Sequence, residues 1–170
     1  DCPMKFEMPF NYSVNAYNQI QIKERGTDVA ADLSSKISEG PLTIAIEAIG
    51  SSSQEGAPIF LEGDQPEVLF QISNEQPDES SLRGIINIRN FRIESSGVEL
   101  EGCEEFMGES VTHDTIQLDQ SQTSSIIRCD IVETDLEAQP SKRAEIRASA
   151  NYTYVKNVGS RDVKVKYRGN

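Results

Sequence analysis

From Met4 to Ala16 apolar and polar residues alternate strictly. Met4, Phe6, Met8, Phe10, Tyr12, Val14 and Ala16 take the even positions, and Lys5, Glu7, Pro9, Asn11, Ser13 and Asn15 take the odd ones. Side chains on a β-strand point to opposite faces in turn, so this segment predicts one strand with an apolar and a polar face. At ~3.3 Å per residue, the alternating segment from Met4 to Ala16 spans about 40 Å, against a usual strand length of about five or six residues. Its Phe and Met face needs a sheet to cover it. Two arrangements satisfy that need: the first strand of the chain's own sandwich, or a strand donated to a neighbouring subunit.

After Ile20 and Ile22 the sequence Lys23-Glu24-Arg25-Gly26 reads as an exit from the strand. Residues 27–39 hold the single helix-like pattern, with Asp28 as cap and Val29, Leu33 and Ile37 on one face; a mobile connector fits equally well. From Pro41 onward the patterning is β throughout. Strands are predicted over Leu42–Ala48, Ile59–Leu61, Glu67–Ser73, 84–94, Val98–Leu100, 115–119 and 124–133. In the 84–94 segment Ile86 and Ile88 share one parity while Phe91 and Ile93 share the other, which predicts a bulge near Arg89-Asn90. Ala144 to Tyr154 alternates again. Asn157-Val-Gly-Ser160 then reads as a turn into a last strand with Val163, Val165 and Tyr167, a hairpin signature. Many short strands with polar turns predict an all-β sandwich. The organisation expected is an extended strand arm over residues 1–26, a connector over 27–40 and a sandwich over 41–170.

The chain has 170 residues, enough for one domain with a real core. Its net charge is −12 and its pI about 4.5. Basic residues are scattered, apart from Lys142-Arg143 and the C-terminal Arg161, Lys164, Lys166 and Arg168, which argues against a nucleic-acid partner. The longest apolar run, Leu42–Ile49, is interrupted by Thr43 and Glu47 and is far short of the roughly twenty residues of a membrane span, so direct membrane insertion is not expected. The sequence begins at Asp1, which is expected for a processed N-terminus or an excerpt of a longer protein. Asn11-Tyr12-Ser13 and Asn151-Tyr152-Thr153 are N-glycosylation sequons. With three cysteines, Cys103 and Cys129 are expected to close a loop worth about 3 kcal/mol if the protein is exported, the alternative being two buried thiols. Cys2 is left over beside the arm, free or linked to another chain.

No motif for phosphate, dinucleotide or nucleophilic serine chemistry is present. The only histidine, His113, adjoins Asp114, and neighbours on a strand point to opposite faces, which is wrong for a relay. An enzyme is not expected, nor a cofactor. Glu99, Glu101, Glu104, Glu105, Asp114 and Asp119 fall in one loop-rich region with oxygen donors suited to calcium, but no calcium-loop signature accompanies them and no metal is assigned. Tyr152 and Tyr154 fit either the core or a sugar-binding face, and their alternation favours the core.

Three patterns carry a resemblance: Glu67-Val-Leu-Phe-Gln-Ile-Ser-Asn74, Ile126-Ile-Arg-Cys129-Asp-Ile131, and Ile146-Arg-Ala-Ser-Ala-Asn-Tyr-Thr-Tyr154 followed by Asp162-Val-Lys-Val-Lys-Tyr167. Over residues 41–170 the chain resembles immunoglobulin-like sandwich domains of archaeal cell-surface proteins. Without a Trp it departs from antibody-type members. The arm resembles the N-terminal extensions of donor-strand pilus and thread subunits, with Phe6, Met8, Phe10, Tyr12 and Val14 at the matching positions. The resemblance implies a secreted, cell-surface structural subunit that polymerises with copies of itself, with Met4, Phe6, Met8, Phe10, Tyr12 and Val14 forming the subunit interface; the two sequons make Asn11 and Asn151 the expected glycan acceptors. The alternative is an adhesin or stalk module of a larger surface protein, using loops 51–56 or 103–114.

Overall fold

The computed structural model describes residues 2–23, 33–49, 59–60, 66–74, 85–107, 116–118, 124–132 and 141–163, with side chains from Phe6 to Lys156 within those ranges, Ile59 and Phe60 excepted. Among the described residues ten strands run in chain order: β1 Cys2–Lys23, β2 Ser35–Lys36, β3 Leu42–Ile49, β4 Ile59–Phe60, β5 Glu67–Asn74, β6 Ile85–Ser96, β7 Leu100–Glu101, β8 Ile116–Leu118, β9 Ser124–Ile131 and β10 Ser141–Val163. One sheet has the order β2-β1-β10-β6-β8, with β4 also beside β1; the other has the order β3-β5-β9-β7. The two pack face to face as an all-β sandwich.

Alternation decides which side chains fill the space between the sheets. β5 contributes Val68, Phe70 and Ile72, β9 contributes Ile127, Cys129 and Ile131, and β3 contributes Leu42 and Ile44. Opposite them, β1 and β10 present Val14, Ala16, Ala144, Ile146, Ala148 and Ala150. These mostly small residues leave room for the larger Ile, Leu and Phe of the facing sheet, the interdigitation that dense packing requires. Phe70 of one sheet meets Phe91 of the other edge-on, with ring centroids 6.2 Å apart, and Phe91 in turn meets Phe106 at 5.7 Å.

The parity switch in β6 is a bulge. Asn151 pairs with Asn90 and Tyr152 with Ile88, so Arg89 is the extra residue and both Ile86-x-Ile88 and Phe91-x-Ile93 face inward. Cys103 and Cys129 are bonded (S–S 2.06 Å, Cα–Cα 5.3 Å), tying the turn after β7 to the middle of β9.

Two expectations are corrected. The turn at Asn157–Ser160 does not form: β10 runs on as one 23-residue strand. Its partner is β1, and the pairing steps from Glu7↔Asn157 to Phe6↔Gly159, so Val158 is absorbed as a bulge. Turn-forming residues thus serve a bulge, because a second long strand is there to pair with. Nor is Leu33–Glu39 helical. Its backbone is spent on the two sheets: Ser34 O accepts the Gln19 N–H at 3.0 Å, and the Ser38 N–H donates to the Ile44 carbonyl at 3.4 Å, while the Ser38 side chain adds a bond by accepting the Ile44 N–H on Oγ at 2.6 Å. The segment thereby bridges the outer edges of β1 and β3. Asp28, the expected cap, lies outside the described residues.

Candidate assembly surface on the β1–β10 ladder

In the single chain β1 lies in its own sheet, paired with β10 along its whole length from Cys2↔Val163 to Lys23↔Ser141. β6 accompanies β10 only as far as Val155. Beyond that point Cys2–Met8 and Lys156–Val163 form a two-stranded ribbon about 25 Å long at ~3.3 Å per residue.

The apolar face of β1 therefore has two environments. Val14, Ala16, Ile20 and Ile22 are buried between the sheets, whereas Phe6, Met8, Phe10 and Tyr12 on the same face are 50%, 51%, 38% and 42% exposed. Of the expected interface residues, the structure brings Phe6, Met8, Phe10 and Tyr12 together as one open stripe and places Val14 in the core. Met4 pairs with Arg161 through its backbone, and its side chain lies outside the described residues.

Aromatic rungs order the stripe. Tyr12 stacks on Tyr152 with ring centroids 5.4 Å apart, and Phe10 on Tyr154 at 6.5 Å; each pair sits directly across the ladder. Tyr152 and Tyr154 are themselves buried, which makes them core and not a sugar-binding platform. Burial pushes the Tyr152 hydroxyl above its ordinary range, against a hydrogen bond with the Leu42 backbone that lowers it and a smaller upward contribution from Tyr12. Asn18, at an even position on the apolar face, is satisfied there: its Nδ2 donates to the Ile46 carbonyl at 2.9 Å and stitches β1 to β3.

The two edges of β1 differ. Gln19 gives its N–H to Ser34, away from β10. Backbone N–H groups alternate sides along a strand, and the β1–β10 register is unbroken from Glu7 to Lys23. Odd residues therefore direct their backbone groups outward and even residues direct theirs to β10. Pro9, which has no N–H, falls on the outward edge, where no described strand runs beside Cys2–Ala16. It leaves the β10 ladder intact and blunts the open edge. From the sequence Pro9 reads as a limit on pairing; the structure assigns that limit to one side.

On the opposite, polar face, Asn11, Ser13 and Asn151 are exposed. Arg147 binds the Glu145 carboxylate and Gln19 Nε2 donates to its Oε2 at 3.2 Å; the arginine first and the amide second hold the carboxyl below its usual range. At the seam between the sheets, Tyr17–Ile20, Leu33–Ile37 and Ala45–Ala48 surround a groove of about 520 Å³.

Among the described residues no group of three or more His, Cys, Asp or Glu is placed to hold a metal ion, and no helix is long and apolar enough to cross a membrane. Glu99, Glu101, Glu104 and Glu105 are solvent-exposed, and Glu104 accepts the Gly102 N–H at 2.8 Å. His113, Asp114, Asp119 and the loop 51–56 lie outside the described residues. No family model, curated protein or solved structure matches the chain.

Proposed function

We propose that the chain is a structural subunit of an extracellular assembly and that β1 joins one copy to the next, pairing with β10 of its own chain when alone and with β10 of a neighbour when assembled. One observation carries the reading: the core-facing side of β1 continues past the sandwich as an open stripe of Phe6, Met8, Phe10 and Tyr12. Contiguous exposed apolar side chains of this kind mark interaction surfaces. Pro9 supports β10 as the acceptor, since β1 has only one edge with a full set of donors, and exchange reproduces the same ladder in trans. A head-to-tail exchange that does not close on itself builds a filament. The Cys103–Cys129 bond and the two sequons support a location outside the cell.

The test is a cross-link. Asn15 and Ser149 are directly opposite, and by the alternation above they form a non-hydrogen-bonded pair, whose ~4.5 Å Cα separation suits a disulfide. Asn15→Cys with Ser149→Cys, in a Cys2→Ser background, is oxidised after assembly and run on a non-reducing denaturing gel. A covalent ladder of copies is expected. Assembled material that yields only internally bonded single chains overturns strand exchange.

A second reading, a ligand-binding module of a larger surface protein, draws on the groove between β1, β3 and Leu33–Ile37. It requires a protein that stays monomeric at every concentration and binds a partner whose affinity changes with Lys36→Ala or Glu47→Ala.

A further inference from the structure

We propose that Asn11 and Asn151 are the acceptors of one paired N-glycan site on the outer face of the larger sheet, and that both are modified before β1 pairs with β10. The two sequons are far apart in sequence, yet they meet in register. Asn11 pairs with Thr153 and Ser13 with Asn151, so each asparagine lies directly opposite the hydroxyl residue of the other sequon. Thr153 Oγ1 donates to Asn11 Oδ1 at 2.8 Å, and Ser13 Oγ donates to Asn151 Oδ1 at 2.7 Å. Both asparagines are exposed.

The atoms used suit a modified residue. An N-glycan attaches through Nδ2 and leaves Oδ1 in place, so both cross-strand hydrogen bonds persist after modification. In the transfer, C1 of a lipid-phosphate- or lipid-pyrophosphate-linked oligosaccharide leaves its phosphate oxygen and bonds Nδ2. Nδ2 gives up one proton, and the lipid phosphate departs. Arg89 and Asn90 border both sequons around a shallow concavity of about 330 Å³, and their guanidinium and amide donors match the hydroxyl groups of a first sugar.

The order of events follows from the residue in the middle of each sequon. These are Tyr12 and Tyr152, which pair with one another across the ladder, stack at 5.4 Å, and leave Tyr152 buried. Lifting either sequon into an enzyme's active site would break that rung. The folded ladder is therefore a poor acceptor and the unpaired strand a good one. Glycans leave from the odd face of β1 and the apolar stripe occupies the even face, so the sugars leave the stripe uncovered. The pairing is the same whether β10 belongs to the same chain or to a neighbour, so the proposal stands independently of strand exchange.

Glycopeptide mass spectrometry on protein purified from its own source is expected to find both asparagines modified; two bare asparagines, or one, would overturn the proposal. Timing is tested by cell-free synthesis with glycosylating microsomes. Two glycans are expected when membranes are present during synthesis, and at least tenfold less modification when they are added to the purified folded chain; equal modification refutes the order. Ser13→Ala is expected to abolish modification of Asn11 alone and Thr153→Ala that of Asn151 alone, while Ser13→Thr keeps both.

Discussion

On the proposed strand exchange, replacing Phe6 and Met8 by threonine should separate assembly from folding. Both side chains are half exposed, at 50% and 51%. A large side chain of this kind carries about 200 Å² of surface, so roughly 100 Å² of each remains to be covered by a neighbour. At ~25 cal/mol per Å² the pair supplies up to about 5 kcal/mol to a subunit contact. Ordering and imperfect packing consume part of that, and retention of about half leaves ~2.5 kcal/mol, a factor of about 60 in the concentration at which assembly begins. Threonine keeps the β preference of the strand. Both positions sit on the two-stranded ribbon beyond β6, so the substitutions loosen a peripheral element and not the core. The thermal midpoint of the single chain should fall by less than about 4 °C, corresponding to less than about 1 kcal/mol for a domain of this size. The assay is light scattering across a concentration series, with Ile126→Thr as control, because Ile126 is 55% exposed on the other sheet. An onset shifted less than about threefold in a folded double variant, or an equal shift in the control, would refute the stripe as the contact.

Other parts of the molecule give further expected outcomes. Phe70→Ala removes a fully buried ring at the centre of the sandwich and should cost about 3–5 kcal/mol in denaturant unfolding, with assembly following only through lost folding. Replacing Cys103 and Cys129 together by alanine opens a 26-residue loop and should cost about 3 kcal/mol; a melting curve indifferent to reductant in the wild-type protein would contradict this. Burial raises the Tyr152 pKa above its usual 10.0, so its contribution is complete below about pH 10 and is lost as pH rises through the folded value. Stability measured between pH 9 and 12 should fall less steeply in Tyr152→Phe than in the wild type.

Much of this fold was legible because burial on one face writes itself into sequence with a period of two. β3, β5, β6, β9 and the outer boundary of β1 follow their alternation, and even the bulge at Arg89 was visible as a change of parity. Pairing was less legible. Asn157-Val-Gly-Ser160 has turn chemistry, and nothing within the last strand indicates that the residues opposite it are the first in the chain. Local sequence reports local preference, whereas a ladder between residues some 150 positions apart is decided by which strands remain to be paired. The latch made by Ser34 and Ser38 was hidden for a related reason: two polar residues in a weak pattern carry no periodicity, and their role is visible only once the edges of β1 and β3 are side by side. Alternation showed which residues of β1 share its apolar face but not the point where the facing sheet stops covering that face, between Val14 and Tyr12.

The choice between pairing within a chain and between chains then becomes a comparison of two quantities. Exchange conserves the β1–β10 ladder, so the ladder itself favours neither. A strand joined to its own sandwich by a short connection has an effective concentration of about 1 mM, so at about 1 μM protein the exchanged form starts about 4 kcal/mol behind. Covering the four residues of the open stripe against the neighbour, at 50%, 51%, 38% and 42% exposure about 360 Å² together, adds up to about 9 kcal/mol that the ladder itself does not, and half of that exceeds the deficit. Removing Phe6 and Met8 leaves about 160 Å² and ~2 kcal/mol of realised gain, below the deficit, and assembly should then begin at about 40 μM instead of about 0.6 μM. Pro9 guards the alternative outcome. With a threonine at position 9, outward N–H groups would run unbroken from Lys5 to Asn15 along an edge that no described strand covers, and that edge would recruit strands laterally, a route to disordered aggregation. Pro9→Thr should therefore leave the Asn15–Ser149 cross-link register unchanged while producing laterally thickened or precipitating material. If Pro9→Thr instead weakens the β1–β10 cross-link, the proline faces β10, and the assignment of the two edges is wrong.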